Sequence, residues 1–125
     1  MDFRFATPLD ATSLSSLLSS RDFLPRRASD FIKNPGNIVI LAIDCAKLIG
    51  ASLVDETGRL LGIYVIPPYR MQGVGTSLFR LSYLEAQKRG KTKFYAELDS
   101  SDLTAEKFLS SLGMKETKKT LEFLI

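Results

Sequence analysis

Runs of apolar residues of strand length alternate with polar turns in the first half of the chain. Apolar residues occupy every position from Ile38 to Ile43, which predicts a strand that is buried on both faces. Short turns at residues 44–46 and 55–58 connect this strand to two further strands, and connections of this length join antiparallel neighbours. The strands predicted in this half of the chain cover residues 3–6, 38–43, 47–54 and 59–66.

Two helices are predicted between the first strand and the second. The segment Thr7-Pro8-Leu9-Asp10 has the residues of a helix start, with Thr7 as the N-cap and Pro8 in the first turn. Leucines at 14, 17 and 18 then recur at helical spacing. A second helix is predicted from Pro25 to Lys33, and the turn at residues 34–37 ends it.

The pattern changes after Pro67 and Pro68, which end a strand because proline has no N–H to donate. A helix is predicted to begin at residues 73–75 and to end at Gly90. A strand at 93–98, a helix at 103–112 and two weak strands after residue 113 complete the order. A strand-helix-strand step over residues 59–98 predicts two parallel strands side by side. The order indicates one α/β (α+β) domain over residues 1–125, with a mixed, mostly antiparallel sheet and helices against it.

Composition narrows the classes of function. The 125 residues carry a net charge of +3, contain one cysteine, Cys45, and have no histidine. The missing histidine excludes Ser-His-Asp and Cys-His catalysis, and nothing in the sequence predicts a metal site. The longest apolar runs are far shorter than the ~20 residues of a membrane helix. We therefore expect a cytoplasmic protein with no membrane or nucleic-acid partner, as a monomer or a homodimer.

The segment from Arg70 to Gly75 has the properties of an anion cradle. It lies between a strand and a helix, and its two glycines allow a sharp turn and a close approach of a ligand. The free N–H groups and the dipole at the start of a helix favour a phosphate there. The segment lacks the lysine of a Walker loop, and Leu78 replaces the third small residue of a dinucleotide fingerprint.

The same residues resemble the acetyl-CoA motif of the GCN5-related N-acetyltransferases (GNAT). The resemblance is carried by Val65-x-Pro67-x-x-Arg70-x-x-Gly73-Val74-Gly75-x-x-Leu78. The segments 3–11, 78–95 and 98–114 are similar to other parts of that family in the same order. The resemblance therefore implies the GNAT fold, with helices on both faces of the sheet, and acetyl-CoA as the cofactor.

The resemblance also implies where coenzyme A would bind. The amides from Gln72 to Thr76 would hold its pyrophosphate, and the edge of the strand ending at Val65 and Ile66 would pair with its pantetheine arm. A backbone N–H near Val65 would bind the thioester oxygen. The residues assigned to the cofactor are Ile63, Tyr64, Val65, Ile66, Arg70, Met71, Gln72, Gly73, Val74, Gly75, Thr76, Asp102 and Phe108.

The catalytic residues are less well marked, because the chain departs from the family pattern. The strand 59–64 has no glutamate, and Leu109 stands where many members have a tyrosine that acts as an acid. Glu97 and Tyr64 are the candidates to accept a proton, although a solvated or ion-paired Glu97 and a core Tyr64 are the more usual roles of these residues in strands. Arg26 and Arg27 could bind a carboxylate of the acceptor, or could simply be a solvated basic turn.

Two functions follow from this resemblance. The first is an N-acetyltransferase that moves acetyl from acetyl-CoA to a primary amine of a small molecule or a protein, by direct attack. The alternative is a non-catalytic module that binds acyl-CoA and regulates a partner protein. The missing tyrosine and strand carboxylate favour the alternative, and turnover with an amine would distinguish the two.

Overall fold

A computed structural model describes residues 1–18, 25–97, 103–112, 115–117 and 120–124. It contains seven strands, four α-helices and two short 3-10 turns within these residues. In chain order they are β1 (Asp2–Phe5), a 3-10 turn (Pro8–Asp10), α1 (Ala11–Leu18), α2 (Pro25–Lys33), β2 (Ile38–Asp44), β3 (Lys47–Val54), β4 (Leu60–Val65), a 3-10 turn (Pro67–Tyr69), α3 (Val74–Lys88), β5 (Lys93–Glu97), α4 (Leu103–Ser111), β6 (Lys115–Thr117) and β7 (Thr120–Leu124).

The first four strands form one antiparallel sheet in the order β1-β2-β3-β4. The central strand β2 is buried over its first five residues, which confirms the prediction from its unbroken apolar run. The pairing of β3 with β4 shifts between Leu53 and Val54, so that Leu61 is an extra residue on β4. Such a bulge bends the strand that contains it.

The last three strands form a second antiparallel sheet in the order β5-β7-β6. A single parallel bridge, between Arg59 and Tyr95, joins it to the first sheet within the described residues. There the Tyr95 N–H donates to the carbonyl of Gly58 at 3.1 Å. The predicted side-by-side parallel strands therefore meet only at this point. Beyond it the described residues of the two strands do not pair, and β4 carries a bulge at Leu61 next to this point.

Helices cover both faces of the first sheet, as predicted. On one face, α3 and α4 pack against residues such as Ile40 and Val54. On the other face, α1 and α2 pack against residues such as Leu41 and Leu53. Successive side chains of a strand point to opposite faces of the sheet, so neighbouring residues such as Ile40 and Leu41 contact different helices. The mixed sheet with helices on both faces is thus confirmed.

The start of the first helix is stabilised by Asp10. Its carboxylate accepts from the Thr7 N–H at 2.7 Å and from both terminal nitrogens of Arg4 at 2.8 and 2.9 Å. The hydrogen bond from the Arg4 guanidinium lowers the pKa of Asp10 to about 2, against the opposing effect of burial and with further help from the Thr7 N–H. The predicted helix start at Thr7 and Pro8 is confirmed, but its first turn is a 3-10 turn.

Two further predictions concern helix ends and membranes. Gly90 follows α3 with a positive φ of 77°, which confirms it as the left-handed residue that ends the helix. Within the described residues, no helix has the length and apolar character needed to cross a membrane.

Candidate functional site

A cleft opens where β4 separates from the second sheet. Its volume of about 840 Å³ is within the range of small-ligand sites. It extends along β4, past the loop before α3, and reaches α1 on one side and α4 on the other. The described residues that line it are Leu17, Leu60, Leu61, Gly62, Ile63, Tyr64, Val65, Ile66, Pro67, Tyr69, Arg70, Met71, Gly73, Val74, Gly75, Thr76, Ala96, Phe108 and Leu109.

The outer edge of β4 presents backbone groups to this cleft. The Ile66 N–H donates to the Ile49 carbonyl at 2.9 Å, so the pair formed by these residues is hydrogen-bonded. Hydrogen-bonded and non-bonded pairs alternate in an antiparallel ladder. The N–H and C=O groups of Ile63 and Val65, which oppose Ser52 and Gly50, therefore point away from β3. Among the described residues no strand pairs with this edge beyond Arg59.

The start of α3 offers a second set of free backbone groups. The first bond of the helix runs from the Ser77 N–H to the Gly73 carbonyl at 3.0 Å. The amides of Val74, Gly75 and Thr76 therefore have no acceptor within the helix. Gly73 has a φ of 81°, and no atom lies within 4 Å of the position that a Cβ would take. A 15-residue helix with free amides in its first turn and open space beside Gly73 fits a phosphate group.

Two side chains of the loop before α3 donate hydrogen bonds to nearby backbone carbonyls, one in the loop and one at the end of β4. Nε of Arg70 donates to the Val65 carbonyl at 2.9 Å, and the Gln72 amide donates to the Pro68 carbonyl at 3.0 Å. Met71 has a φ of 64° and is fully exposed. The sequence predicted Arg70 as a ligand of the phosphate; the structure adds that this side chain ties the loop to the end of β4.

Phe108 of α4 lies beside the start of α3. A Cβ at Gly75 would be 3.5 Å from the Phe108 ring and 3.8 Å from the Ile63 side chain. An alanine at Gly75 would therefore make ordinary van der Waals contact with both. The neighbouring Leu109 is buried and also lines the cleft. This position, where a tyrosine acid is common in the family that the sequence resembles, thus holds a side chain with no proton to donate.

Tyr64 faces the opposite side of the sheet from Ile63. Its partner across the ladder is Ala51, which packs with α1 and α2, whereas Ile63 opposes Ser52, which bonds to Ser82 of α3 at 2.6 Å. The Tyr64 side chain is 39% exposed. The cleft therefore has two sides, one towards α3 and one towards α1.

The remaining predicted residues are placed as follows. Arg26 and Arg27 are exposed on α2 and are not among the residues that line the cleft. Glu97 ends β5, but its side chain lies outside the part of the chain that can be described, as does Asp102. The assignments of these four residues, like those of the residues that line the cleft, stay predictions.

Sequence reasoning missed several contributors to the cleft. Leu17, Leu61 and Ala96 line it, although their apolar character marked them only as core residues. Tyr69 was also missed: its hydroxyl donates to Oδ2 of Asp44 at 2.7 Å, which raises the pKa of the tyrosine. This bond ties the loop after β4 to the end of β2. The proline pair before Tyr69, which forces a turn, was the one available signal.

The cleft wall has little charge. Arg70 is the one charged residue among the described residues that line it, and none of those residues is a carboxylic acid. The tyrosines Tyr64 and Tyr69 supply the hydroxyl groups, with Thr76 at the start of α3. The wall thus combines free backbone amides with mainly apolar side chains.

Comparison with known sequences gives a family match and one curated relative. Residues 10–114 match the Acetyltransferase (GNAT) family. The aminoglycoside N(6')-acetyltransferase type 1 of Acinetobacter haemolyticus is 35% identical over 77 residues. That alignment covers 62% of this chain and spans about half, 53%, of the relative's length.

Solved structures share the fold. The aminoglycoside 6'-N-acetyltransferase of Acinetobacter haemolyticus superposes with a TM-score of 0.84 at 21% identity, over 95% of this chain and 94% of that protein. The PaiA N-acetyltransferase of Thermoplasma acidophilum, solved with coenzyme A, superposes with a TM-score of 0.80 at 14% identity over the full length of both chains. At these identities the likeness concerns the fold.

Proposed function

This chain belongs to the acetyltransferase (GNAT) family, and we propose that residues 1–125 act as one domain that transfers an acetyl group from acetyl-CoA to a primary amine. One observation carries the proposal. The free edge of β4 and the open start of α3 meet in a single cleft. An extended, amide-containing arm that ends in a pyrophosphate is complementary to this combination.

The backbone would do most of the cofactor binding. The amides of Gly73 to Thr76 would bind the pyrophosphate, with Gln72 holding the loop in shape. The outward-pointing backbone groups of Ile63 and the N–H of Val65 would pair with the pantetheine arm and its thioester, since the Val65 carbonyl accepts from Arg70. Phe108 and the side chain of Ile63 would shield the arm from water on the α3 side. Coenzyme A bound to the PaiA relative supports this assignment of ligand.

Acetyl-CoA supplies an acetyl thioester, from which an attacking amine takes the acetyl group as the carbon–sulfur bond breaks. The N–H of Val65 points into the cleft and would donate to the oxygen on which negative charge develops. A thiol has a free pKa of ~8.5, so it leaves without a dedicated acid, in keeping with a leucine at position 109.

The acceptor must lose a proton before or during attack, because a lysine-type amine has a free pKa of ~10.4. Tyr64 lines the cleft on the side that coenzyme A would leave open. We propose that Tyr64 or Glu97 accepts the proton, directly or through water. Two of the relatives named above are enzymes of aminoglycosides, which supports a small-molecule amine rather than a protein as the acceptor.

A calorimetric titration with acetyl-CoA, after mass spectrometry has checked for bound cofactor, tests the binding site. Release of free thiol from acetyl-CoA in the presence of an amine panel that includes an aminoglycoside then tests the activity. Micromolar binding and amine-dependent thiol release are expected. A folded protein that does not bind acetyl-CoA would contradict the proposal.

The buried Leu109 favours one other function, a module that binds acyl-CoA without turnover and regulates a partner protein. Tight binding of acetyl-CoA with no thiol release for any amine would identify it. Thiol release that requires an amine would exclude it.

A further inference from the structure

On the side of the cleft towards α1, the ring of Tyr64 lies against the backbone of Gly62. The exposed part of this ring forms an aromatic surface. We infer that this surface binds the acceptor, and that the acceptor is a monoamine carrying an aromatic or apolar group. This inference rests on the proposed function. Tyr64 is then a residue that determines specificity for the acceptor.

The position of Tyr64 puts it opposite the proposed cofactor surface. Ile63 and the start of α3 lie on one side of the β4 edge, and Tyr64 lies on the side of α1. An acceptor that attacks a thioester held along this edge must approach from the side that the cofactor leaves open. Among the described residues that line the cleft, Tyr64 and, from α1, Leu17 lie on this side.

Exposure shows that this surface is available to a ligand. Tyr64 is 39% exposed and Leu61, the bulged residue of β4, is 41% exposed. Large apolar side chains left open in a cleft favour an apolar ligand group, because its binding removes both surfaces from water. An aromatic group gains further from the ring–ring contact with Tyr64.

Charge points to the same class of acceptor. No carboxylate lies among the described residues of the cleft wall, whose one charged side chain is the cation Arg70. A polyamine would find no anionic partner among these described residues for its remaining ammonium groups. A monoamine loses its one charge when it reacts, so it has no such requirement.

Gly62 sets the position of the Tyr64 ring. A methyl group at Gly62 would lie 2.5 Å from Cε2 of Tyr64 and 2.8 Å from its Cζ and hydroxyl. The ring therefore rests directly on the glycine, which makes a flat surface beside the β4 edge. Because the colliding atoms are the far end of a side chain, Gly62→Ala is expected to move the ring while the strand is retained.

The first test compares kcat/KM for thiol release with three amines: phenethylamine, propylamine and spermidine. Phenethylamine is expected to exceed propylamine roughly tenfold, because its phenyl group would be buried against the Tyr64 ring. Spermidine is expected to be the poorest of the three. A preference for spermidine, or equal use of phenethylamine and propylamine, would overturn the inference.

Variants of Tyr64 and Gly62 test whether the preference for phenethylamine depends on the Tyr64 ring. The ratio of phenethylamine to propylamine is expected to fall roughly three- to tenfold in Tyr64→Ala and in Gly62→Ala. Tyr64→Phe keeps the ring and is expected to keep the ratio, even if loss of the hydroxyl slows both amines. Leu84→Ala, at a residue that is 56% exposed outside the cleft, is the matched control and is expected to leave the ratio unchanged.

Failure of the proposed function is distinguishable from failure of this inference. If acetyl-CoA binds but no amine releases thiol, the enzyme activity is rejected. Titration of phenethylamine and of propylamine into the protein saturated with coenzyme A then tests the surface alone. Tighter binding of phenethylamine that Tyr64→Ala removes, but Tyr64→Phe retains, would support it; equal binding of both amines would overturn it.

Discussion

Nε of Arg70 donates a hydrogen bond to the carbonyl of Val65, 2.9 Å away, so the loop before α3 is tied to the last residue of β4. The Val65 carbonyl is one of the groups that point away from β3. The bond thus fixes the two halves of the cleft relative to each other, the strand edge and the helix start. A site whose parts are held before the ligand arrives loses less entropy on binding.

Arg70→Ala is therefore expected to weaken acetyl-CoA binding by about 1–3 kcal/mol, because it removes a charged hydrogen bond and frees the loop. Calorimetry of the purified variant measures this change. Arg80→Ala, at an exposed position of α3 outside the cleft, is the control and should bind as the parent does. Unchanged affinity in Arg70→Ala would show that the tie has no part in cofactor binding.

Gly73→Glu is expected to abolish acetyl-CoA binding, since a side chain and a negative charge would enter the space in front of the α3 amides. Gly90→Glu is a matched control at the other end of the same helix. Both glycines have a positive φ and open space at the Cβ position, so both changes cost about 1 kcal/mol of backbone strain. Only Gly73→Glu should lose the ligand; retained affinity in a folded Gly73→Glu protein would contradict the site.

The buried pair Ser52 and Ser82 makes a prediction about stability. Their hydroxyls are 2.6 Å apart, and both residues are fully buried between β3 and α3. Ser82→Ala is expected to lower the free energy of unfolding by about 1–3 kcal/mol, because it leaves the Ser52 hydroxyl without this partner. The double change to alanine should cost less than the sum of the single changes. Urea unfolding of the four proteins measures the coupling, and strict additivity would show that none exists.

Asp10 makes a prediction about pH. Its pKa is lowered in the folded protein to about 2 from 3.8, so its ionised form stabilises the fold. That contribution is complete above pH 3.8 and is lost as the pH falls towards 2. Asp10→Asn should therefore lower the free energy of unfolding at pH 7, by about 1 kcal/mol, and the difference should shrink below pH 4. Asp30→Asn, on an exposed face of α2, is the control. A difference that does not depend on pH would contradict the assignment.

Local patterns were sufficient for most of the secondary structure. The unbroken apolar run that begins at Ile38 predicted β2, because burial on both faces permits no polar position. Gly73 and Gly90 predicted the two ends of α3, since each needs a backbone conformation that other residues resist. The proposed phosphate cradle was inferred from Gly73 and Gly75, as such a cradle depends on backbone rather than on side chains.

Features that depend on distant contacts could not be predicted in this way. β4 carries a bulge at Leu61 close to where its pairing with β5 ends, and a run of apolar residues looks the same with or without a bulge. The bond from Arg70 to Val65 and the resting of Tyr64 on Gly62 depend on how side chains turn in the folded protein. The pattern therefore located the loop and the strand, but not the tie between them or the aromatic surface.

The cleft presents the main-chain amides of Val65 and of residues 73–76 as its proposed ligand-binding groups, and every amino acid except proline supplies such an amide. Most substitutions that keep the strand edge open and the helix start uncovered would therefore preserve the donor site. The acceptor surface, in contrast, is made of side chains such as Tyr64, and a single substitution there would alter it. Over evolutionary time, a scaffold of this kind can keep one donor while its acceptor changes freely.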